Sequence, residues 1–279
     1  MNNCTPIPAV LTIAGSDSGG GAGIQADLRT FNYFKTYGSS VLTAVTSQNP
    51  DEVRRVDILD VQVVQSQLET VLDLIPIRFA KTGMLANCEI IECVAKIVSE
   101  RKLPLVVDPV MISSSGVNLL EDTAISVMRE KLFPLAAWLT PNIREAEIIS
   151  ERKINCFDDL AIIAMALYEQ YKCNIILKSG HYPDMLTARD IVCYEGRLFS
   201  LSSPKVDIIG NTAHGTGCTL SAGLTANLAL GKTWEQALIN AKAFIYGSLL
   251  EIRLLDEKLC QMYPPENSYY NQIILQQLI

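Results

Sequence analysis

Aromatic residues make up only 7% of the 279 positions, and the chain holds two tryptophans and two histidines, His181 and His214. So small an aromatic share argues against a stacking-based binding module. Two histidines and no Cys-x-x-Cys pair argue against a structural zinc site. No block of lysine and arginine occurs, and the formal charge is −7 at pH 7. Nucleic-acid backbones are bound through clustered cations, so no nucleic-acid partner is expected. No uninterrupted apolar run is long enough to span a bilayer, so no membrane partner is expected either. The opening residues, Met1-Asn-Asn-Cys-Thr-Pro, show no basic stretch followed by an apolar run, which makes the cytoplasm the expected compartment. The eight cysteines are scattered, without the spacing of a disulfide framework, and read as reduced and mostly buried thiols.

Apolar residues make up 49% of the chain, with Leu, Ile, Val and Ala in the majority. That is ample material for one large core. One domain is expected over residues 1–255. An extension over 256–279 follows, with a polar stretch, Tyr263-Pro-Pro-Glu-Asn-Ser-Tyr-Tyr, to which no role attaches. Near-continuous apolar runs at Val10–Ala14, Ser40–Thr46, Arg78–Lys81, Leu105–Val107, Ala137–Leu139, Ile175–Lys178 and Ile191–Tyr194 read as strands covered on both faces. Between them, helical spacing recurs at Ile24/Leu28/Phe31, Val61/Val64/Leu68/Val71, Ile90/Val94/Ile97 and Leu160/Ile163/Leu167. Leu220, Leu224 and Leu228 continue this pattern to Gly231, and Thr233 with Gln236 opens a further helix. The alternation predicts an α/β fold: a mostly parallel sheet with helices on both sides.

In such a sheet ligands bind where strands end and helices begin. After the first strand comes Ala14-Gly-Ser-Asp-Ser-Gly-Gly-Gly-Ala-Gly23, with five glycines in ten residues, either a surface turn or a loop that a ligand can approach closely. Gly21-x-Gly23-x-x-Ala26 also fits a permissive dinucleotide fingerprint, but the acidic residue expected about 20 positions later is missing. Asp108 ends the Val107-Asp-Pro-Val-Met111 strand mouth and is either a loop cap or a group that meets metal or phosphate. Asn142 and Glu145 stand three apart on a helix start. They are either a capping box or a pair that holds hydrated Mg²⁺. Lys178, in Leu177-Lys-Ser-Gly-His181, reads as a solvated charge or a strand-end cation. The strongest signal is Gly215-Thr-Gly-Cys218, where backbone N–H groups and a helix dipole converge on an anion or a phosphoryl group. Cys218 falls in the first turn, where a thiol's pKa tends to fall and thiolate becomes accessible.

Taken in order, AGSDSGGGAGIQADLRTF, TAVTSQN, KTGML, VVDPVM, LTPNIREAE, LKSGH and NTAHGTGCTLSAG make the chain resemble the ribokinase superfamily. Within it, the resemblance is to the hydroxymethylpyrimidine and phosphomethylpyrimidine kinases of thiamine biosynthesis, from about Val10 to Leu250. The resemblance implies a ribokinase-like three-layer α/β/α sandwich, ATP and Mg²⁺ as cofactors, and a homodimer. It also implies phosphorylation of 4-amino-5-hydroxymethyl-2-methylpyrimidine and of its monophosphate. Residue by residue, Gln48, Gly15, Met84 and Val110 match the pyrimidine pocket. Asp108, Asn142, Lys178 and Thr212 match positions that meet ATP, and Glu145 and Asp108 those that meet the metal. Gly215, Thr216, Gly217 and Cys218 match the anion-stabilising turn and its base, a position where most of the superfamily has aspartate.

The chain departs from the family pattern at three places. Asp17-Ser-Gly-Gly-Gly replaces Asp-Pro-Ser-Gly-Gly. Gly210-Asn-Thr-Ala-His-Gly replaces Lys-Asn-Thr-His-Gly, and the segment Met111-Ile-Ser-Ser-Ser-Gly lacks a customary lysine. Two of these remove cations that help hold phosphate, which points to the monophosphate as the poorer acceptor. Pyridoxal kinase, a catalytically silent ligand-binding protein on the same fold and an NAD-dependent oxidoreductase are the competing expectations.

Overall fold

The computed structural model describes residues 6–111, 120–180, 186–207, 214–256 and 259–278. A ten-stranded sheet forms its middle layer. Five parallel pairings join β2 (Tyr37–Gln48), β1 (Ala9–Asp17), β4 (Ile77–Thr82), β5 (Leu105–Val107), β6 (Ala136–Leu139) and β7 (Asn174–Leu177), in that spatial order. Antiparallel strands close both sides: β3 (Val53–Ile58) on β2, then β8 (Thr187–Tyr194), β9 (Arg197–Pro204) and β12 (Ile274–Gln277) beyond β7. A separate hairpin pairs β10 (Arg253–Asp256) with β11 (Leu259–Gln261).

The apolar runs are continuous because successive side chains of one strand enter different layers. Leu11, Ile13, Leu105, Val107, Ile175 and Leu177 pack into one core, whereas Val10, Val106 and Ile176 pack on the opposite face. The first face is covered by α2 (Val61–Leu74), α3 (Cys88–Arg101), α4 (Asp122–Val127), α5 (Ile143–Ser150) and α6 (Phe157–Tyr171). The second is covered by α1 (Gly23–Tyr33), α7 (Thr216–Ala229) and α8 (Trp234–Leu250). This is the three-layer sandwich that the strand–helix alternation implies.

All seven expected strands are present, and the helix signals mark real ends. Thr233 Oγ1 accepts the Gln236 N–H, and Gly231, at φ +75°, closes α7. β3 escaped the hydrophobic pattern because it is an exposed edge rich in Arg54, Arg55 and Asp57. The last residues, a short apolar end to which the sequence attached no role, return to the sheet: β12 pairs along β9 from Ile274↔Ser202 to Gln277↔Phe199. Glu251 anchors this return by accepting hydrogen bonds from the Glu266 and Asn267 backbones and the Tyr269 hydroxyl. The seven described cysteines are all free, but Cys173 and Cys193 alone among them are fully buried and Cys156 is exposed, so the expectation of mostly buried thiols holds only in part. Among the described residues no helix is long and apolar enough to cross a membrane.

Candidate active site

The carboxyl ends of β1, β4, β5, β6 and β7 open on one side of the sheet, and the residues just past them line a cleft of about 530 Å³. The start of α7 forms its floor. Asp108, one residue beyond β5, and Lys178, one beyond β7, form a buried ion pair at 2.7 Å. Thr140 Oγ1 donates to Asp108 Oδ1 at 3.2 Å and Ser221 Oγ to Oδ2 at 3.2 Å, so helix α7 and strand β6 both hold this carboxylate. Burial pushes its pKa up, but the ammonium groups of Lys178 and Lys81 and the hydrogen bonds from Lys178 and Ser221 hold it below the usual carboxylate range. Lys178 is thus no solvated charge. Despite burial, Asp108 and Glu145 keep its ammonium protonated above the ordinary lysine range.

Asn142 and Glu145 do form the capping box that their spacing allows. Asn142 Oδ1 accepts the Glu145 N–H at 2.9 Å, and Glu145 Oε2 accepts the Asn142 N–H at 2.8 Å. Glu145 is buried in the cleft, and its pKa is pushed up to about 7 by that burial, with Lys178 pulling it down and Asp108 pushing it further up. Among the described residues no group of three or more His, Cys, Asp and Glu side chains could enclose a metal. The oxygen-only donor set of Asp108, Glu145 and Asn142 instead suits a hard cation that keeps most of its ligands as water and phosphate oxygens, as Mg²⁺ does.

Helix α7 begins without a side-chain cap at Gly215, whose φ of +83° is left-handed. Thr219 is the first residue to bond back into the helix, onto Gly215 O at 2.9 Å. The N–H groups ahead of it therefore face out of the positive helix end into the cleft. Lys178 Nζ approaches so closely that a Cβ on Gly217 would stand 3.1 Å from it. Hence the second glycine admits a cation against the turn. A Cβ on Gly215 would overlap the carbonyl of Gly21, so the two glycine-rich segments clasp backbone to backbone, and within the first of them a Cβ on Gly23 would overlap the carbonyl of Gly15. Asp17 shapes the first of them by accepting the Gly19 and Ala22 N–H groups at 2.9 and 2.8 Å.

Cys218 is where the helix start and the buried charges meet. The expected low pKa is overturned: burial pushes the thiol up to about 11, Lys81 pulls it down, and Asp27 and Asp108 push it up again. The helix end does not outweigh desolvation and two carboxylates. Lys81 itself is fully buried, with both Asp27 oxygens at 3.0 Å.

Gly15, Gln48, Met84 and Val110 gather at one end of the cleft, where Met84 and Val110 pack with Ala44 and a Cβ on Gly15 would press 2.9 Å from Met84 Cε. The opposite end is walled by Val206, Tyr246 and Leu249, and by Lys242 paired with Asp190 at 2.6 Å. The residue pattern did not single out that second end. Tyr246 and Leu249 sit on helix α8 among other apolar residues, Val206 lies just past β9, and the Lys242–Asp190 pair joins positions 52 residues apart. Also missed were Lys81 with Asp27, and His214, which lies 3.3 Å from both Asp17 and Gln48. Thr212 and the segment 112–119 lie outside the described residues.

A parallel sheet whose strand ends carry an anion-binding helix start, a buried cation and two carboxylates defines a phosphotransferase of the ribokinase-like class. The chain belongs to the phosphomethylpyrimidine kinase family, whose model matches residues 17–258. It is 45% identical over 254 residues to a hydroxymethylpyrimidine/phosphomethylpyrimidine kinase of Haemophilus influenzae, covering 87% of this chain and 91% of that protein. Among solved structures, a phosphomethylpyrimidine kinase from Clostridium difficile is 39% identical, with a TM-score of 0.75 over 86% of this chain and 98% of that one. The pyridoxal kinase from Staphylococcus aureus, in complex with AMP-PCP and pyridoxal, is 32% identical, with a TM-score of 0.85 over 98% of this chain and 100% of that one.

Proposed function

We propose that the chain transfers the terminal phosphoryl group of ATP to the hydroxymethyl oxygen of 4-amino-5-hydroxymethyl-2-methylpyrimidine, and more slowly to the monophosphate of that alcohol. The observation that carries this reading is the start of α7. Gly215 to Cys218 face Lys178 and Asp108 in the same cleft that holds Gln48, Met84 and Val110 at one end and Tyr246 and Leu249 at the other. Two ligand ends with an anion site between them suit a donor nucleotide and a small acceptor.

The acceptor ring lies at the Gln48 end, where one amide offers both a donor and an acceptor to an aminopyrimidine edge. Gly15, lacking a side chain, lets Met84 close against its backbone and wall the pocket. The N–H groups of Gly215 to Cys218 and the Lys178 ammonium stabilise charge on the transferring group, which in a loose transition state is spread over its peripheral oxygens. Asp108 and Glu145, with Asn142 behind them, would hold Mg²⁺, which when bound neutralises phosphate charge. Cys218 takes the hydroxyl proton. It does so in the small fraction of molecules whose thiol has already lost its own proton to solvent, and the transfer can come late because a loose transition state needs little prior deprotonation of the alcohol. A homodimer belongs to the same proposal, supported by the exposed apolar side chains Val56 and Ile58 on edge strand β3.

Phosphorylation of pyridoxal is the second reading, favoured by one observation: the S. aureus pyridoxal kinase superposes over 98% of this chain. An assay of ADP release with ATP and Mg²⁺, supplied in turn with the pyrimidine alcohol, its monophosphate and pyridoxal, separates the two. The alcohol should give the highest kcat/KM. Faster turnover of pyridoxal would reverse the assignment, and saturable binding without turnover of any alcohol would mark a silent binding protein.

A further inference from the structure

Asp17 at the end of β1, Gln48 at the end of β2 and His214 just before α7 meet at the acceptor end of the cleft. His214 Nε2 stands 3.3 Å from Asp17 Oδ2 and 3.3 Å from Gln48 Nε2. One ring nitrogen cannot give a hydrogen to the carboxylate and take one from the amide. Asp17 decides between them. Burial pushes its pKa up, but the bonds from His214, Ala22 and Gly19 hold it below the usual range, so the carboxylate is ionised at neutral pH. A bare nitrogen facing that oxygen would set two lone pairs against each other. Nε2 therefore carries the hydrogen, and a Gln48 NH₂ turned toward it would face another N–H.

A second mismatch lies at the other end of the same amide. The Thr46 hydroxyl has one hydrogen and two acceptors in reach, Ser16 O at 3.0 Å and Gln48 Oε1 at 3.3 Å. Given to the nearer Ser16 carbonyl, that hydrogen leaves a Thr46 lone pair facing the amide oxygen. Turning the Gln48 amide over removes both conflicts at once, since its oxygen and nitrogen occupy near-equivalent positions. Oε1 then accepts from His214 Nε2–H, which is shared with Asp17, and the NH₂ donates to Thr46 Oγ1.

We propose that His214 is a positioning residue that locks the Gln48 amide with its oxygen toward His214 and its NH₂ toward Thr46. The remaining lone pair and the remaining N–H then read the acceptor ring in one sense. Its exocyclic amine lies on the His214 side and its ring nitrogen on the Thr46 side. The lock belongs to the protein alone, and only its use in reading a ring rests on the pyrimidine-kinase reading.

Two measurements test this independently. The ¹⁵N spectrum of the imidazoles of the ligand-free chain, assigned with His181→Gln because the chain has two histidines, should show a hydrogen on His214 Nε2 at neutral pH. A bare Nε2 with the hydrogen on Nδ1 overturns the lock. In steady-state kinetics His214→Phe should raise the KM of the pyrimidine alcohol about tenfold, the scale of one lost hydrogen bond, with the KM of ATP within about twofold. His214→Gln, which keeps a donor, should restore most of the loss, and His214→Phe on a Gln48→Ala background should add nothing further. Equal rises in both KM values, or additive effects of the two substitutions, overturn the positioning role. A native chain that turns over no pyrimidine alcohol refutes the kinase reading, while the imidazole spectrum still decides the lock.

Discussion

Cys218 is assigned a proton-accepting role, yet burial pushes its thiol up to about 11. Each pH unit below that value reduces the thiolate tenfold, so at pH 8 about one molecule in a thousand carries it. Were the thiolate the acceptor of the hydroxymethyl proton, the chemical step should quicken about tenfold per pH unit between pH 7 and 10. Cys218→Asp places a group that is ionised several units lower, and its profile should be flat over that range. Cys218→Ala should lower the rate by about 10² to 10⁴, the usual contribution of a positioned acid or base. The KM of the pyrimidine should change little in that variant, because Gly15, Gln48, Met84 and Val110 form the ring pocket. Single-turnover mixing with saturating ATP, Mg²⁺ and pyrimidine alcohol, quenched and counted for phosphorylated product, keeps product release from masking the step. A flat profile in the native chain, together with a Cys218→Ala rate within threefold of native, would refute the assignment.

Other parts of the fold are open to equally direct tests. Gly215→Ala adds a methyl group at a left-handed φ and against the Gly21 carbonyl. It should destabilise the protein by at least about 1 kcal/mol in urea unfolding, the backbone penalty alone, and an unchanged midpoint would mean that the clasp yields freely. Lys81→Met leaves the Asp27 carboxylate buried without its cation. A loss of about 3 to 5 kcal/mol is expected, and a loss below about 1 would show that the carboxyl is neutral in the folded chain. Cys173 is pushed up to about 12 by burial, from an ordinary thiol value of 9.0. A folded-state pKa above the unfolded one stabilises fully below pH 9 and is lost as pH rises toward 12, at about 1.4 kcal/mol per unit. Urea midpoints should therefore fall above pH 9, and less steeply in Cys173→Ala.

The parts of this structure that were legible in the sequence depend on near neighbours. Ile175 to Leu177 read as a doubly covered strand because three adjacent apolar side chains need two cores. The turn from Gly215 to Cys218 read as an anion site because glycine and a helix start suffice. The sequence left both the capping box and a metal-holding pair open at Asn142 and Glu145. The reciprocal bonds show the box, and the buried carboxylate leaves the second use available. What pattern could not supply was distance across the chain. Residue pattern alone left Lys178 between a solvated charge and a strand-end cation because its partner, Asp108, lies 70 residues away, and His214 meets Asp17 across 197. Cys218 was misjudged for the same reason: its helix end is local, but the enclosure and carboxylates that raise its pKa arrive from Asp27 and Asp108. β3 and β12 lie at the sheet margins: charge erases the apolar signal of the first, and the second is an apolar end too short to read as a strand.

The contact between the Gly21 carbonyl and Gly215 reverses the usual meaning of an alanine scan. Such a scan measures what a side chain contributes by cutting it away, and most of the protein is visible to it. Here the essential quantity is unoccupied volume, and the smallest possible addition is the disruptive act. A map of tolerated substitutions across this chain should therefore show its sharpest intolerance at Gly215 and Gly23, which possess no side chain at all and lie in segments that meet only after nearly two hundred intervening residues have found their places.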